Sequence, residues 1–397
     1  MSDVIQGRVA IDATRQYRRV FNQKMATGID KVDLAYIRQY QTSANAVLRL
    51  KKRWFVLNAN DSAILFGKIL QNRSLSRIEL LRFCANTCLS SKRRYPTVLI
   101  NTSHSGLEQA DYSIQAKRLF KRVAYFLHDI IPLEYPEYCK AGETLKHEAR
   151  VKTIVQSGHL VITNSQDTLD KFKYFSQQQF KAASLPTGTV ALLGTELHLP
   201  VPQRNKSEIL IVPGNFPYFV ILGTIEPRKN HLLLLQVWRR LAEQLKENCP
   251  KLYIIGKRGW DIEQVIDILE RAPYAKQHIL EISNACDMQV NLLLQDARAL
   301  LFPSFAEGFG LPLVQALQLS TPVIASDLPV FKELANTIPD YADPIDVMQW
   351  MHLIINYSSD NSTLRTAQLE RLANFQAFSW KEHFNIVTPQ LNHLFVS

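Results

Sequence analysis

The stretch that decides the fold is R-A-L-L-F-P-S-F-A-E-G-F-G-L-P-L-V-Q-A-L-Q-L-S-T-P-V-I-A-S-D-L-P-V-F-K-E, residues 298–333. This pattern predicts a buried strand at 299–303, a glycine turn at 307–310, a short helix opened by Pro312 and a second buried strand at 323–326. Strand, turn, helix and strand form a βαβ unit, which is the building block of a parallel sheet.

The turn of this unit is suited to bind an anionic or hydroxylated ligand, because the free N–H groups at the helix start face the ligand crevice. Gly308 and Gly310 let the backbone approach a ligand closely, and Pro312 fits the first helical turn. Glu307 lies at the mouth of the site, and Gln315 lies about two helical turns further on a similar face. Both side chains can therefore reach one extended ligand. The alternative is an ordinary helix N-terminus capped by an acid.

The composition indicates a globular protein of two domains. The chain has 397 residues, of which 46% are hydrophobic, and no long apolar run predicts a transmembrane span. The N-terminus lacks the basic and apolar regions of a secretory signal. Five irregularly spaced cysteines match neither a metal site nor a disulfide framework, so we expect core residues in a reducing cytoplasm. They are Cys84, Cys88, Cys139, Cys249 and Cys286.

The positive charge is concentrated in the first half of the chain. Residues 1–200 contain 29 Lys and Arg against 16 Asp and Glu, a net charge of +13, whereas residues 201–397 have a net charge of −3. Such a surface can face anionic lipid or an acidic acceptor, or can simply be solvated. Without any recognised binding motif, nucleic acid is not expected as a partner. The basic clusters are Lys51-Lys52-Arg53, Lys92-Arg93-Arg94, Lys117-Arg118 and Lys121-Arg122.

The first half alternates predicted strands and helices, which is typical of a parallel sheet covered on both faces. Strands are predicted at 7–13, 47–57, 97–101, 122–127 and 160–164, and helices at 75–89, 107–120 and 143–157. A further helix begins at Thr27-Gly28, after a polar segment. One strand ends in His128-Asp129, at the edge of the sheet where ligands bind. The alternative for His128 is a hydrogen-bonded loop residue.

The second half opens with a strand at 219–222 that runs through Gly223 into the polar turn T-I-E-P-R-K-N. Arg228 and Lys229 lie beside the N-terminus of a helix that Asn230 is expected to cap. Two cations beside a helix N-terminus suit a diphosphate. The alternative is a solvated basic turn. The proline-rich segment 184–217 is expected to connect the two domains, with the boundary between 200 and 207.

These motifs resemble those of the retaining group 1 glycosyltransferases (family four), of the bacterial polysaccharide type. That family carries two Glu residues within E-G-F-G-L-P-x-x-E-A-x-x-x-G-x-P-V, and here the second Glu is Gln315 and the later Gly is Ser320. An amide still hydrogen-bonds hydroxyl groups, although a charge-assisted bond is roughly twice as strong. The E-P-R-K turn is also similar, but many members have Arg where this chain has Thr224. The resemblance covers the second half closely and the first half thinly.

The resemblance implies roles for individual residues. His128, Asp129 and Glu307 would be catalytic: His128 and Glu307 near the donor sugar, and Asp129 near the acceptor. Glu307 would hold the sugar rather than act as a nucleophile, and Gln315 would bind the ribose. The donor-binding residues would be Gly28, Thr224, Arg228, Lys229, Gly308, Phe309, Gly310, Leu311 and Gln315. No cofactor or metal is expected, because the chain has no D-x-D motif to hold one.

The expected fold is α/β, with two Rossmann-like doubly wound domains facing a cleft, the GT-B architecture. Residues 1–200 would form the acceptor-side domain, 201–378 the nucleotide-sugar domain, and 379–397 a C-terminal helix that returns to the first domain, with Trp380 as its anchor. The expected function is retaining transfer of a hexose from a nucleotide sugar to a saccharide or lipid-linked saccharide, in the cytoplasm or peripherally at the inner membrane face. A sugar phosphorylase, an epimerase and a non-catalytic nucleotide-sugar-binding scaffold are the alternatives.

Overall fold

The computed structural model describes residues 5–23, 27–50, 53–89, 96–181, 184–195 and 216–396, in two compact units. Unit 1 comprises Met1–Leu133, Gly142–Gly194 and Phe378–Ser397, and unit 2 comprises Glu134–Ala141 and Thr195–Ala377. The predicted boundary at 200–207 lies outside the described residues. The division also assigns the short segment Glu134–Ala141 to unit 2, which no sequence pattern indicated.

Unit 1 is built on a seven-stranded sheet with helices between the strands. Its elements are β1 Val9–Asp12, α1 Thr14–Phe21, α2 Gly28–Tyr40, β2 Ala44–Leu50, β3 Arg53–Val56, α3 Ala59–Leu70, α4 Arg77–Leu89, β4 Val98–Asn101, α5 Tyr112–Leu119, β5 Arg122–Leu127, α6 Ile131–Glu134, α7 Glu143–Ser157, β6 Leu160–Thr163, α8 Gln166–Phe180 and β7 Thr187–Val190. The strand order is β3-β2-β1-β4-β5-β6-β7. All neighbouring strands are parallel except β3, which is antiparallel to β2.

Three predictions for unit 1 were wrong in detail. The single strand predicted at 47–57 is a pair of antiparallel strands, β2 and β3, because the apolar pattern continues through a reversal of the chain. The cysteines of α4, which were expected in the core, are not buried, since Cys84 is partly exposed and Cys88 is exposed. The predicted connection at 184–217 contains β7, a short polar edge strand that pairs with β6 and lacks the apolar run of a central strand.

The C-terminal helix α17, Trp380–Val396, belongs to unit 1, which confirms the predicted return of this helix to the first domain. His383 is fully buried: its Nδ1–H donates to the Leu192 carbonyl at 2.9 Å, and its Nε2 accepts from the Tyr36 hydroxyl at 2.9 Å. A Cβ atom at Gly194 would lie 2.2 Å from the Trp380 nitrogen, so only glycine lets the helix start pack so closely.

Unit 2 is built on a six-stranded parallel sheet in the order β10-β9-β8-β11-β12-β13. Its elements are β8 Tyr218–Leu222, α9 His231–Leu245, β9 Lys251–Ile255, α10 Glu263–Arg271, α11 Pro273–His278, β10 Ile279–Ile282, α12 Asp287–Gln295, β11 Leu300–Phe302, α13 Leu311–Gln318, β12 Val323–Ser326, α14 Pro329–Ala335, β13 Asp340–Ala342, α15 Val347–Ser358 and α16 Thr363–Leu372. One hydrophobic core includes strand residues together with Trp238 of α9 and Trp350 of α15, both fully buried.

Both sheets have apolar central strands, as expected where helices cover both faces. The two doubly wound α/β units confirm the predicted fold class. None of the helices in the described part of the chain combines the length and the hydrophobicity that a membrane span requires.

Candidate active site

The predicted site residues of unit 2 lie on two loops, and on helix α13 that follows one of them, at the point where the strand order reverses. β8 and β11 are neighbours in the sheet, although they are separated in the chain by β9 and β10. Loop 223–230 follows β8, and loop 303–310 follows β11. Ligands of open α/β sheets bind outside the carboxyl ends of the strands at such a reversal.

Four charged side chains of these loops form one ion-pair cluster. Lys229 Nζ lies 2.5 Å from Glu307 Oε1, and Arg228 Nη1 lies 2.8 Å from the same oxygen. Arg228 Nη2 lies 2.6 Å from Glu226 Oε1. The Lys229 and Glu307 side chains are each 9% exposed. Two cations therefore share two carboxylates in a largely buried place, where electrostatic interactions are stronger than on the surface.

Main-chain hydrogen bonds hold the two loops together around this cluster. The Phe305 N–H donates to the Arg228 carbonyl at 2.9 Å. In the opposite direction, Arg228 Nη1 donates to the Ala306 carbonyl at 2.6 Å. The position of Arg228 is thus fixed by backbone as well as by charge.

The pKa values of the cluster follow from burial and from its opposite charges. Burial raises the pKa of Glu307, but the charges of Arg228 and Lys229 and their hydrogen bonds outweigh burial and bring this pKa down to about 2. Burial lowers the pKa of Lys229, and the Glu307 carboxylate opposes that change. Glu307 is therefore a carboxylate at neutral pH, and its low basicity makes it a poor nucleophile.

Gly223 brings the backbone close to Lys229. Its φ of 142° suits glycine, and a Cβ atom there would lie 3.3 Å from Lys229 Cε. The ammonium group of Lys229 also lies 4.7 Å from the centroid of the Phe302 ring, a cation–π contact. Thr224 follows directly and is exposed, with Arg228 as the nearest arginine of the same loop in the sequence.

The glycine turn leads from Glu307 directly into α13. Gly308 is half-buried, whereas Phe309 is 6% exposed and packs into unit 2. Gly310 precedes the helix with a φ of 119°, and a Cβ atom there would lie 2.9 Å from the Phe331 ring. Only glycine fits at position 310, and α13 then begins at Leu311.

Gln315, the residue that replaces the usual acid, has a defined partner. Its Nε2 donates to Asn291 Oδ1 at 2.7 Å, and Asn291 is 2% exposed on α12. This bond leaves the Gln315 carbonyl oxygen as the group that can accept a further hydrogen bond.

Asn230 stands at the N-cap position of α9, but its side chain does not cap the helix, so that prediction was wrong. Its backbone is left-handed, with φ of 55°. The Asn230 amide instead donates to the Pro303 carbonyl at 3.2 Å and to the Pro344 carbonyl at 2.7 Å. Its left-handed backbone turns the side chain away from the helix, so Asn230 joins two loops of unit 2.

Aromatic residues of segment Glu134–Ala141 pack onto the loop that carries Glu307. The rings of Tyr138 and Phe305 stack with centroids 4.9 Å apart and planes 12° apart, and Tyr135 stacks on Tyr138 at 5.9 Å. Trp260 Nε1 donates to the Tyr138 carbonyl at 3.3 Å. These contacts explain why this short segment belongs to unit 2.

In unit 1, His128 follows β5 and is 6% exposed. Its Nε2 lies 2.7 Å from the Thr102 carbonyl, and because a carbonyl only accepts, Nε2 carries the proton and Nδ1 is the acceptor. The His128 N–H donates to His104 Nε2 at 3.3 Å. Burial lowers the pKa of His128 to about 4, so the ring is neutral at pH 7.

Asp129 is half-buried, and its Oδ1 accepts from the Ile131 N–H at 3.2 Å, at the start of α6. Its carbonyl accepts from His147 Nε2 at 3.1 Å. Gly28 is the first residue of α2 and is exposed. The Thr27 N–H before it donates to Asp30 Oδ2 at 2.8 Å, so the Asp30 carboxylate caps the start of this helix.

Sequence reasoning missed four residues that support the predicted ones. Glu226 pairs with Arg228, Asn291 orients Gln315, and Thr102 holds His128, with Asp33 behind it. Only Glu226 had a signal, since it stands within the E-P-R-K turn. The other three are remote in sequence from the residues they contact. Among the described residues, no group of three or more His, Cys, Asp or Glu side chains could hold a metal ion.

Comparisons with known proteins identify a related family. Residues 202–338 match the family described as glycosyl transferases group 1. The serotype-specific mannosyltransferase WbdA of Escherichia coli is 31% identical over 218 residues, 53% of this chain and 26% of WbdA. The chain thus spans about a quarter of that relative. The O-antigen chain mannosyltransferase B of Escherichia coli is 28% identical over 281 residues, 69% of this chain and 70% of the relative.

Solved structures share the fold at low sequence identity. The structure of HepE from Anabaena in complex with UDP-glucose has a TM-score of 0.65 and 15% identity, covering 98% of this chain and 99% of HepE. Sucrose-phosphate synthase from Thermosynechococcus elongatus has a TM-score of 0.63 and 14% identity, covering 98% of this chain and 100% of the synthase.

Proposed function

Because residues 202–338 match the family described as glycosyl transferases group 1, we propose that this chain is a retaining hexosyltransferase. It moves a sugar from a nucleotide-sugar donor to a saccharide or lipid-linked saccharide acceptor in surface polysaccharide synthesis. The observation that carries the proposal is the cluster of Arg228, Lys229 and Glu307 at the carboxyl ends of β8 and β11. The resemblance adds proposed roles for His128 and Asp129, which lie in unit 1.

The cluster suits departure of a nucleoside diphosphate. Transfer of a sugar places new negative charge on the leaving diphosphate, and fixed cations aimed at that charge lower the barrier. Lys229 and Arg228 are such cations, and ion pairs and a main-chain hydrogen bond fix their positions. They supply the charge that a metal ion provides in other transferases, so we propose that transfer is metal-independent.

Glu307 holds the donor sugar rather than attacking it. A carboxylate with a pKa of about 2 that is paired with two cations accepts hydroxyl hydrogen bonds but is a weak nucleophile. Retention of the anomeric configuration therefore does not pass through a covalent bond to Glu307. Neutral His128 can accept a hydrogen bond from a sugar hydroxyl at Nδ1, while Asp129 serves the acceptor.

We infer that the transferred sugar is mannose. The similar proteins WbdA and O-antigen chain mannosyltransferase B are both named as mannosyltransferases. UDP-glucose, the ligand in the HepE structure, is the second donor to test. A non-catalytic scaffold remains the second candidate, favoured only by the change from acid to amide at Gln315.

A donor screen tests the function. The full chain is mixed with GDP-mannose, UDP-glucose, GDP, UDP and inorganic phosphate, and thermal shift and slow donor hydrolysis are measured with and without EDTA. We expect one nucleotide sugar to stabilise the protein and to be hydrolysed equally in both conditions. Nucleotide binding without turnover, even with a mannose-terminated acceptor, would indicate the scaffold, and stabilisation by phosphate alone would indicate a phosphorylase. Conversion of the donor sugar without acceptor would indicate an epimerase.

We further propose that unit 1 binds the anionic inner membrane surface peripherally. On α4, Ile78 is 80% exposed and Leu81 is 69% exposed, and these residues lie three positions apart on one helix face beside Arg82. Exposed apolar residues beside basic ones are typical of interfacial helices. The basic residues 51–52 and 92–94 lie outside the described residues. The net charge of +13 in residues 1–200 also favours binding to an anionic membrane surface.

Sedimentation with vesicles tests this second proposal. Each basic residue near an anionic surface contributes about 1 kcal/mol, which salt screens. The protein should bind vesicles of phosphatidylcholine with phosphatidylglycerol at low salt, and high salt should release it. The variant Ile78→Ser/Leu81→Ser should bind more weakly, whereas Ile345→Ser, at a position 74% exposed in unit 2, should bind normally. No binding at low salt would exclude a membrane role.

A further inference from the structure

A buried carboxyl group lies behind His128 in unit 1. Asp33 of α2 is 2% exposed, yet among the described residues no Lys or Arg pairs with it. Burying a carboxyl group without a cation costs free energy unless hydrogen bonds compensate for the lost water. The hydrogen bonds of Asp33 therefore indicate its role.

The hydrogen bonds of Asp33 lead to His128 through one residue. The Thr102 hydroxyl donates to Asp33 Oδ1 at 2.6 Å, and the Thr102 carbonyl accepts from His128 Nε2 at 2.7 Å. The second carboxyl oxygen, Oδ2, accepts from Gln16 Nε2 at 2.9 Å. Thr102 follows β4, His128 follows the neighbouring β5, and both are at most 6% exposed.

We propose that Asp33 is a positioning residue that fixes Thr102 and, through it, the ring orientation and tautomer of His128. The inference rests on the proposed function, in which His128 meets the donor sugar. Thr102 is held from two sides, by its hydroxyl and by its carbonyl. A loosened Thr102 would let the imidazole rotate and would remove the bond that keeps the proton on Nε2.

The same carboxyl group connects His128 to the start of α2. Asp33 lies less than two helical turns from Gly28, the residue predicted to lie near the donor diphosphate. Gln16 bridges Asp33 to Asp30, since its Nε2 also donates to Asp30 Oδ1 at 3.0 Å. Asp33 therefore couples the position of this helix start to the position of His128, within one unit.

The ionisation of Asp33 supports the inference. Burial raises its pKa to about 7, although hydrogen bonds from Thr102 and Gln16 and the charge of Arg15 oppose this, while Asp30 adds to it. An ionised Asp33 can only accept from Thr102, whereas the protonated form can donate. Turnover should therefore change near pH 7 as Asp33 ionises. His128 cannot cause this change, because its pKa is near 4.

The test measures His128 directly by NMR of imidazole-labelled protein. Thr102→Val removes the hydroxyl at similar volume, Thr102→Ser keeps it, and Asp33→Asn keeps an acceptor that cannot ionise. Asp61→Asn is the matched control, because its carboxyl group belongs to a residue 4% exposed elsewhere in unit 1 and accepts from the side-chain amides of Asn58 and Asn86. We expect a mixed tautomer at His128 in Thr102→Val, and the normal tautomer in Thr102→Ser and Asp61→Asn.

Kinetics with the donor found in the screen complete the test. Thr102→Val should lower kcat on the order of 10²-fold, as expected for a misplaced group, and its donor KM should stay within about twofold of the wild-type value. Asp33→Asn should keep most activity and lose the pH dependence near 7. Unchanged His128 signals and kcat in Thr102→Val would overturn this inference. If His128→Ala retained full turnover, the role of His128 in the proposed function would fail instead, whatever the NMR shows.

Discussion

Lys229 Nζ lies 2.5 Å from Glu307 Oε1, although the two residues are 78 positions apart in the chain. The pair balances its charges within the protein, and Arg228 shares the same carboxylate oxygen. A diphosphate that enters the site therefore meets cations that already have partners. Its binding must compete with Glu307 or add a charge to the cluster.

The first prediction concerns Glu307→Gln. Removing the carboxylate removes a negative charge that repels the ligand, so a free nucleoside diphosphate should bind more tightly, by about 2 kcal/mol for unit charges about 8 Å apart at an effective dielectric constant near 20. Turnover of the nucleotide sugar should fall, because the group that holds the sugar is lost. Calorimetry with GDP and UDP measures the binding. Weaker diphosphate binding would mean that Glu307 does not oppose the ligand.

The second prediction concerns Lys229→Met. Turnover should fall by a factor that corresponds to about 2 to 4 kcal/mol of transition-state stabilisation, because no neighbour replaces the buried charge fully. Arg228→Ala should behave similarly if Arg228 takes the place of the arginine that many members of the resembling family have at the position of Thr224. The matched control is Arg239→Ala, which removes a 63% exposed cation of α9 that pairs with Glu243. Near-normal rates for Lys229→Met would remove its role at the diphosphate.

The third prediction concerns stability in acid. The folded-state pKa of Glu307 is about 2, below its ordinary value of 4.5, so its ion pairs stabilise the fold above about pH 4.5 and this contribution is lost as the pH falls toward 2. The full contribution is on the order of 3 kcal/mol. Denaturant melts between pH 2 and 6 should show a shallower acid loss for Glu307→Gln. Glu243→Gln, at a 70% exposed position, should retain the normal profile, and equal slopes in both variants would contradict the buried pair.

The fourth prediction concerns the amide pair of Gln315 and Asn291. If Gln315 binds the ribose, Gln315→Ala should weaken nucleotide binding by roughly 1 kcal/mol or more, because one hydrogen-bonding partner is lost. Asn291→Ala should weaken it less, since it only frees the Gln315 side chain to rotate. Calorimetry with the nucleoside and the nucleoside diphosphate separates these effects. Equal affinity in wild type and Gln315→Ala would show that Gln315 only packs α13 against α12.

The sequence by itself predicted the parallel sheets and the loops that carry the site. The apolar strand at 323–326 and the helix at 143–157 lie where they were predicted, because buried strands and amphipathic helices leave a recognisable pattern in neighbouring residues. The glycine turn before α13 was visible for a similar reason, since Gly310 occupies a backbone conformation that other residues avoid. Such signals are local.

Only the tertiary structure decided which side chains meet. β8 and β11 become neighbours because the chain crosses over between them, and this adjacency brings Lys229 to Glu307. The bonds from Asp33 to Thr102 and from Asn291 to Gln315 join elements that are far apart in sequence. A hydrogen bond depends on distance and direction in space, and sequence periodicity contains neither across elements.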